Sequence, residues 1–183
     1  MKESDAEIVA MVIEGADGAF EELVHRYTTL IYNFAYRLTS STDFAEDITQ
    51  DTFIKVWKNI NKYNQSYSFK AWIFTIARNT TTDLLRKKKS ILFSNLDNED
   101  SSPFESTIAD DAELPSEALM KLEDSEYLNS VLKKLPLNYQ SVILLRYQND
   151  MTFEEIGEVM NKPLNTVKSW HRRGILKLRD ILE

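Results

Sequence analysis

The residues best suited to acting on another molecule lie near the C-terminus. From Lys162 to Arg179 there are six bases (Lys162, Lys168, Arg172, Arg173, Lys177 and Arg179) and no acid. Upstream, Thr152 and Glu155 have the capping-box spacing, in which each side chain satisfies a backbone N–H of the other at a helix start. Asn161, Lys162, Pro163 and Leu164 form a turn, so a short helix, a turn and a basic helix follow one another in helix-turn-helix order. Gly157 falls where the two helices approach closely, and Ile156, Val159, Val167 and Ile175 supply a shared core. The second helix projects Asn165, Thr166, Lys168, Ser169, Arg172 and Arg173 from its N-terminal half, the part that reaches base edges and phosphates when such a helix enters a major groove. Arginine can fork onto guanine, while Lys and Ser hold phosphates. A solvated basic face on an ordinary helix pair is the plainer reading. The cap, the turn length and the acid-free run favour duplex DNA.

Two other groups of residues stand out. Asp47, Gln50, Asp51, Ile54 and Lys58 fall on one helical stripe with Glu46 beside it. Acids around an exposed Ile suit a protein contact that mixes charge with a small apolar anchor. Taken alone, the stripe reads first as a solvated face and, far more remotely, as a carboxylate metal site on Glu46, Asp47 and Asp51. The polar loop 61–68 precedes a helix in which Phe69, Trp72 and Phe74 lie near Arg78, Asn79, Arg86 and Lys87. Rings interleaved with basic and amide groups suit unstacked single-stranded bases. Trp72 reads first as a core residue, and the loop residues Asn64, Gln65, Ser66, Tyr67 and Ser68 as the base readers. Catalysis has no visible carrier. His25 and His171 sit in different blocks without a Ser or Asp partner at a recognisable spacing, and there is no glycine-rich phosphate loop.

The elements that must position these groups are all helical. Ser4 and Glu7 open a first helix that ends near Gly15, and Asp17 is placed to cap the second. Phe20, Leu23, Val24, Tyr27, Leu30, Ile31, Phe34 and Leu38 then keep the 3.6-residue period. A third helix over 43–60 buries Ala45, Ile48, Thr52, Val56 and Ile60, and a fourth runs over 69–88. These four make one bundle. Beyond a loop-like stretch, helices are expected over 116–135, 138–147, 152–160 and 165–182. No strand pattern and no internal repeat appears. The fold class is all-α: an N-terminal helical bundle (1–90), a flexible acidic linker (91–115) and a C-terminal helix-turn-helix bundle (116–183).

Composition bounds the rest. Only four Gly and four Pro favour long helices, and the absence of Cys excludes disulfides, thiolate metal sites and a cysteine nucleophile. An acidic N-terminus with no apolar h-region gives no signal-peptide pattern, and no apolar run is long enough to cross a bilayer, so a cytoplasmic protein without membrane insertion is expected. The net charge of −7 is unusual for a DNA reader, but its distribution accounts for it. From Ser94 to Glu126 there are eleven acids and one base, and the remainder carries 21 bases against 18 acids.

Three blocks carry a resemblance. Residues 44–57 (FAEDITQDTFIKVW) and 69–79 (FKAWIFTIARN) resemble region 2 of the extracytoplasmic-function (ECF) sigma factors of RNA polymerase. Residues 135–140 (LPLNYQ), 151–157 (MTFEEIG) and 166–169 (TVKS) resemble their region 4. The sequence departs from the family at Trp170, where a basic residue is usual, and at His171, where an apolar one is usual. The resemblance implies a sigma subunit without enzymatic activity, cofactor or metal. Asp47, Gln50, Asp51, Ile54 and Lys58 would dock on the clamp of the largest subunit of core RNA polymerase, and region 4 on the flap of the second. Residues 64–68 with Arg78, Asn79, Arg86 and Lys87 would capture melted −10 DNA of the promoter. Asn165, Thr166, Lys168, Ser169, Arg172 and Arg173 would read −35 duplex, and an anti-sigma factor would hold the protein inactive. A stand-alone helix-turn-helix regulator is the alternative.

Overall fold

The computed structural model describes residues 3–92 and 125–182, with side chains described over 3–87 and 129–182. Eight α-helices occur among the described residues: α1 (Asp5–Ile13), α2 (Ala19–Thr39), α3 (Thr42–Asn59), α4 (Phe69–Leu92), α5 (Ser125–Leu132), α6 (Leu137–Ile143), α7 (Phe153–Met160) and α8 (Leu164–Leu182). A 3-10 turn (Ile60–Lys62) follows α3, and a π-helical turn (Leu144–Gln148) follows α6. The expected linker lies almost wholly outside the described residues, as does the first part of the helix expected over 116–135.

The first helix forms for the reason its sequence suggests. Ser4 N donates to Glu7 Oε2 at 2.7 Å and Glu7 N donates to Ser4 Oγ at 3.3 Å. The Ser4 backbone N–H first, and then the Ser4 hydroxyl, which donates to the same Oε2 at 2.8 Å, hold the Glu7 carboxyl below its ordinary range. Ile8, Val9 and Val12 are buried against the bundle. Each such side chain contributes roughly 1.5–3 kcal/mol when withdrawn from water. A polar clasp holds α1 to α2. Arg26 Nη1 donates to Asp5 Oδ1 at 2.7 Å, its Nη2 donates to Glu22 at 3.0 Å, and the Tyr27 hydroxyl donates to the other Asp5 oxygen. Burial opposes the Arg26 charge, but its bonds to Asp5 and Glu22 outweigh that and raise its pKa.

Asp17 does not cap α2. The chain turns through Gly15 (φ +80°), Ala16 N donates back to Met11 O, and the N-cap position falls on Gly18, whose φ of +78° suits glycine. The rest of the periodic reading holds on α2, where Leu23, Tyr27, Ile31, Phe34 and Leu38 are buried while Phe20, Val24 and Leu30 pack half-buried around them. On α3 the expected face, Ala45, Ile48, Thr52 and Val56, is buried, with Ile60 just beyond it. Thr49 and Thr52 remain there because their hydroxyls donate to the carbonyls four residues back, at 2.6 and 2.7 Å. Lys55 Nζ donates to Thr80 Oγ1 at 2.8 Å and ties α3 to α4, which runs about a turn beyond the expected end at 88.

In the C-terminal part, α8 packs on both α6 and α7. Gly174 makes the first contact possible: a Cβ there would lie 2.8 Å from Ile143 Cδ1. Helix α6 gives way at Leu144 to the π turn, where Asn149 Nδ2 donates to Leu144 O and Arg146 Nη1 to Met151 O. Asp150, at φ +49°, then turns the chain into α7. The two parts of the chain touch through α4 with α7 and α2 with α6, and one apolar cluster runs through both, while Ala35, Ala45 and Ile48 form a second, smaller one.

Candidate nucleic-acid interface

The helix-turn-helix is present as the spacing predicts. Thr152 N donates to Glu155 Oε2 at 2.9 Å, Glu155 N donates to Thr152 Oγ1 at 3.2 Å, and Asn161 (φ +49°) ends α7. A Cβ on Gly157 would sit 3.1 Å from the Lys162 carbonyl, so the tight turn into α8 requires a small residue there. Ile156, Val159, Val167 and Ile175 are all buried. Asn165, Lys168 and Arg172 are exposed, and Thr166, Ser169 and Arg173 are half-buried beside them. The six residues form one face. His171 is only 7% exposed, shares a 3.0 Å hydrogen bond with the Tyr147 hydroxyl and meets the Phe153 ring edge-on at 5.1 Å. It fills an interior position as an apolar residue would, and Trp170 packs half-buried against the same core.

The second set surrounds the start of α4. Asn64, Gln65, Ser66 and Tyr67 are exposed and Ser68 is half-buried. The loop is not loose: Ser66 N donates to Asn64 Oδ1 at 3.0 Å, the Tyr63 hydroxyl donates to Tyr67 O, and Ser68 Oγ receives Ala71 N at 3.4 Å. Tyr67 keeps 53% of its surface in water, as a stacking platform would. Phe69 and Phe74 are core, but Trp72 is only half-buried. It packs on Tyr63 and Phe69 and also lines a groove of about 360 Å³ with Lys55, Asn59, Lys62, Ile76, Asn79 and Thr80. Sequence reasoning missed Lys55, Asn59 and Lys62, which reach this groove from α3 and the 3-10 turn. Their signal was the i, i+4 and i+7 spacing of polar residues on the side of α3 facing α4. Asn79, Arg86 and Lys87 are exposed, whereas Arg78 is half-buried and burial lowers its pKa.

The third set is the outer face of α3. Glu46, Asp47, Gln50, Asp51, Ile54 and Lys58 are all exposed. Ile54 is 49% exposed and Trp57, one turn on, 58%. Trp57 was not among the expected contacts, although i+3 from Ile54 and i+7 from Gln50 is the spacing that adds it to the stripe. No grouping of three or more His, Cys, Asp or Glu that could hold a metal ion occurs among the described residues, and Glu46, Asp47 and Asp51 do not converge into one. Nor is any helix among them long and apolar enough to cross a membrane.

Comparison with known proteins then decides the family. Residues 23–91 match Sigma-70 region 2, and residues 125–178 match Sigma-70 region 4. Over 93% of its length the chain is 35% identical to the ECF RNA polymerase sigma factor SigW of Bacillus subtilis, covering 92% of that protein. The chain belongs to the ECF RNA polymerase sigma factors. A second relative, the ECF sigma factor SigE of Mycolicibacterium smegmatis, is 30% identical over 92% of this sigma factor and 63% of that protein. Among solved structures, the sigma factor RpoE of Bartonella quintana in complex with the anti-sigma factor NepR superposes with a TM-score of 0.70, at 25% identity over 90% of this chain and 97% of that one. CnrH in complex with the cytosolic domain of CnrY shares the fold, with a TM-score of 0.73 at 23% identity over 98% and 97%. The all-α fold with region 2 and region 4 domains is therefore that of the family, and the helix-turn-helix of this sigma factor lies in region 4.

Proposed function

We propose that this sigma factor docks on core RNA polymerase and directs transcription initiation from specific promoters. Residues 1–90 act as the region 2 domain, 91–115 as a connector and 116–183 as the region 4 domain. The observation that carries the reading is the separation of three exposed faces on one chain: an acid-rimmed apolar stripe, an aromatic-and-amide groove, and a basic recognition helix. Asp47, Gln50, Asp51, Ile54 and Lys58 dock on the polymerase clamp, with Trp57 extending the anchor. Residues 64–68, Asn79, Arg86 and Lys87, with the groove beside Trp72, take unstacked −10 bases. Arg78, half-buried on the same helix, contributes its charge to that capture.

On region 4, Asn165, Lys168 and Arg172 reach the −35 duplex directly, flanked by Thr166, Ser169 and Arg173. Other surfaces of that domain meet the flap of the second polymerase subunit. The net charge of −7 fits a protein that does not hold free duplex by itself, because its own field opposes phosphate contacts. Tethered to polymerase, two weak DNA sites act at high effective concentration. An anti-sigma factor regulates the protein by covering these faces. The structure of the sigma factor RpoE of Bartonella quintana in complex with the anti-sigma factor NepR motivates that assignment.

The test is transcription from sheared genomic DNA of the source organism by core polymerase, with and without this chain. Discrete transcript starts should appear only with the chain and be lost in Asp51→Arg. Unchanged starts on addition of the chain would refute the proposal.

A further inference from the structure

The loop 64–68, assigned above to −10 bases, is closed at its base by rings. Tyr63 precedes it and Phe69 follows it, and the two rings meet edge-on with centroids 5.6 Å apart and planes at 90°. The Tyr63 hydroxyl donates to Tyr67 O, so the exposed Tyr67 is held through its own backbone. Behind Phe69 stands Tyr27 of α2, edge-on at 5.5 Å and only 3% exposed. A phenol this deep needs a partner for its hydroxyl, and Asp5 of α1 supplies one. The Asp5 carboxylate divides its oxygens: one accepts from Tyr27, the other from Arg26 Nη1 at 2.7 Å. Arg26 Nη1 also donates to Glu3 O at 3.0 Å, which ties down the start of α1. Helix α1 packs in addition on the 3-10 turn that leads into Tyr63. Burial first, and then the charge of Asp5, push the Tyr63 phenol up. Yet α1 precedes the stretch that matches region 2, which begins at residue 23.

Resting on the sigma-factor reading above, we propose that α1 belongs to the −10 reader, with Asp5 and Tyr27 as positioning residues that set the loop 64–68 before DNA arrives. The path is short. Asp5 fixes the Tyr27 ring, Tyr27 seats Phe69, Phe69 seats Tyr63, and Tyr63 holds Tyr67. Edge-to-face contacts depend on the angle between rings, so slack in one ring passes to the next. Apolar packing alone does not call for this arrangement, because a phenylalanine at 27 would fill the same space. The hydroxyl and carboxylate add direction rather than buried area, and a satisfied polar network of this kind selects one arrangement of the core. A loop of exposed polar residues would otherwise have to be ordered at the moment of binding. One that is already fixed loses little further freedom when a base stacks on Tyr67.

The test uses holoenzyme assembled from core polymerase and the whole chain. Its probe is the non-template single strand of the −10 element from a promoter mapped by the genomic transcription above. Tyr27→Phe, Asp5→Asn and Tyr63→Phe should each weaken capture of this strand by about 2- to 10-fold, the range of one net hydrogen bond. Tyr27→Phe and Tyr63→Phe keep every ring, so both should fold. Core affinity, −35 duplex affinity and the salt slope should stay unchanged, since no polymerase or phosphate contact is removed. Tyr27→Phe combined with Tyr63→Phe should lose no more than the worse single variant, because both act through Tyr67. Losses that add, or that extend equally to core binding, would assign Tyr27 to bundle stability and overturn the proposal. Unchanged capture by Tyr27→Phe and Asp5→Asn would overturn it as well. If the unmodified chain itself starts no transcripts or captures no −10 strand, the sigma-factor reading falls, and this proposal with it.

Discussion

The ring of Trp57 meets Phe20 edge-on, with centroids 4.8 Å apart and planes at 63°, yet 58% of Trp57 faces water. One edge of the indole is held by α2 and the other is left free beside Ile54 on α3. A large apolar side chain already held in place loses little freedom on being covered, which is what a binding hot spot needs.

Trp57→Ala should therefore weaken binding to core polymerase by about 2 kcal/mol, roughly 30-fold. Competition binding against the unmodified chain measures this. Thermal unfolding should change little, because most of the ring is already in water. An unfolding loss as large as the binding loss would assign Trp57 to the bundle rather than to the docking face.

Alkaline stability should depend on Tyr27. Burial first, and then the hydrogen bond to Asp5, push this phenol far above its ordinary value of 10. The folded pKa lies above the unfolded one, so the stabilisation is complete below about pH 10 and is lost as pH rises past it, by up to about 1.4 kcal/mol per pH unit. Urea unfolding of the chain and of Tyr27→Phe at pH 7 to 11 isolates the effect. The two curves should diverge in slope above pH 10, and parallel curves would contradict the assignment.

Lys168 and Arg172 should fail in different ways. Lys168, whose ammonium lies 5.9 Å from the centre of the Phe153 ring, is placed for phosphate. Lys168→Ala should weaken promoter binding by the holoenzyme uniformly across −35 sequences and lower the salt slope by about 1. Arg172→Ala should cost about 1–3 kcal/mol and relax preference at one −35 position. Electrophoretic mobility shifts over a −35 substitution series, at several salt concentrations, separate the two patterns.

Much of this was legible in the residues. Both capping boxes, at Ser4 and Thr152, form as written, because the rule behind them concerns only four consecutive residues. The exposed faces of α3 and α8 follow from a period that survives packing. Misses occurred where tertiary geometry overrides a local signal. Asp17 lost its cap to Gly18, because the turn after α1 needs two residues at positive φ. The groove beside Trp72 is made by α3, the 3-10 turn and α4 together, and helical spacing within one element cannot show that Lys55 points at Thr80. His171 stands in a basic helix where an apolar residue is usual in the family, and the positions of Tyr147 and Phe153 show how a histidine fills that interior place.

Gly174 sits on the buried side of α8, turned away from the face that would meet DNA. The missing methyl group there sets how closely the recognition helix seats on α6, since a Cβ would have to displace Ile143 Cδ1. The pitch at which this helix presents itself to DNA is thus adjustable from behind. Paired changes at 174 and 143 offer a route to altered promoter preference that leaves every DNA-facing side chain untouched.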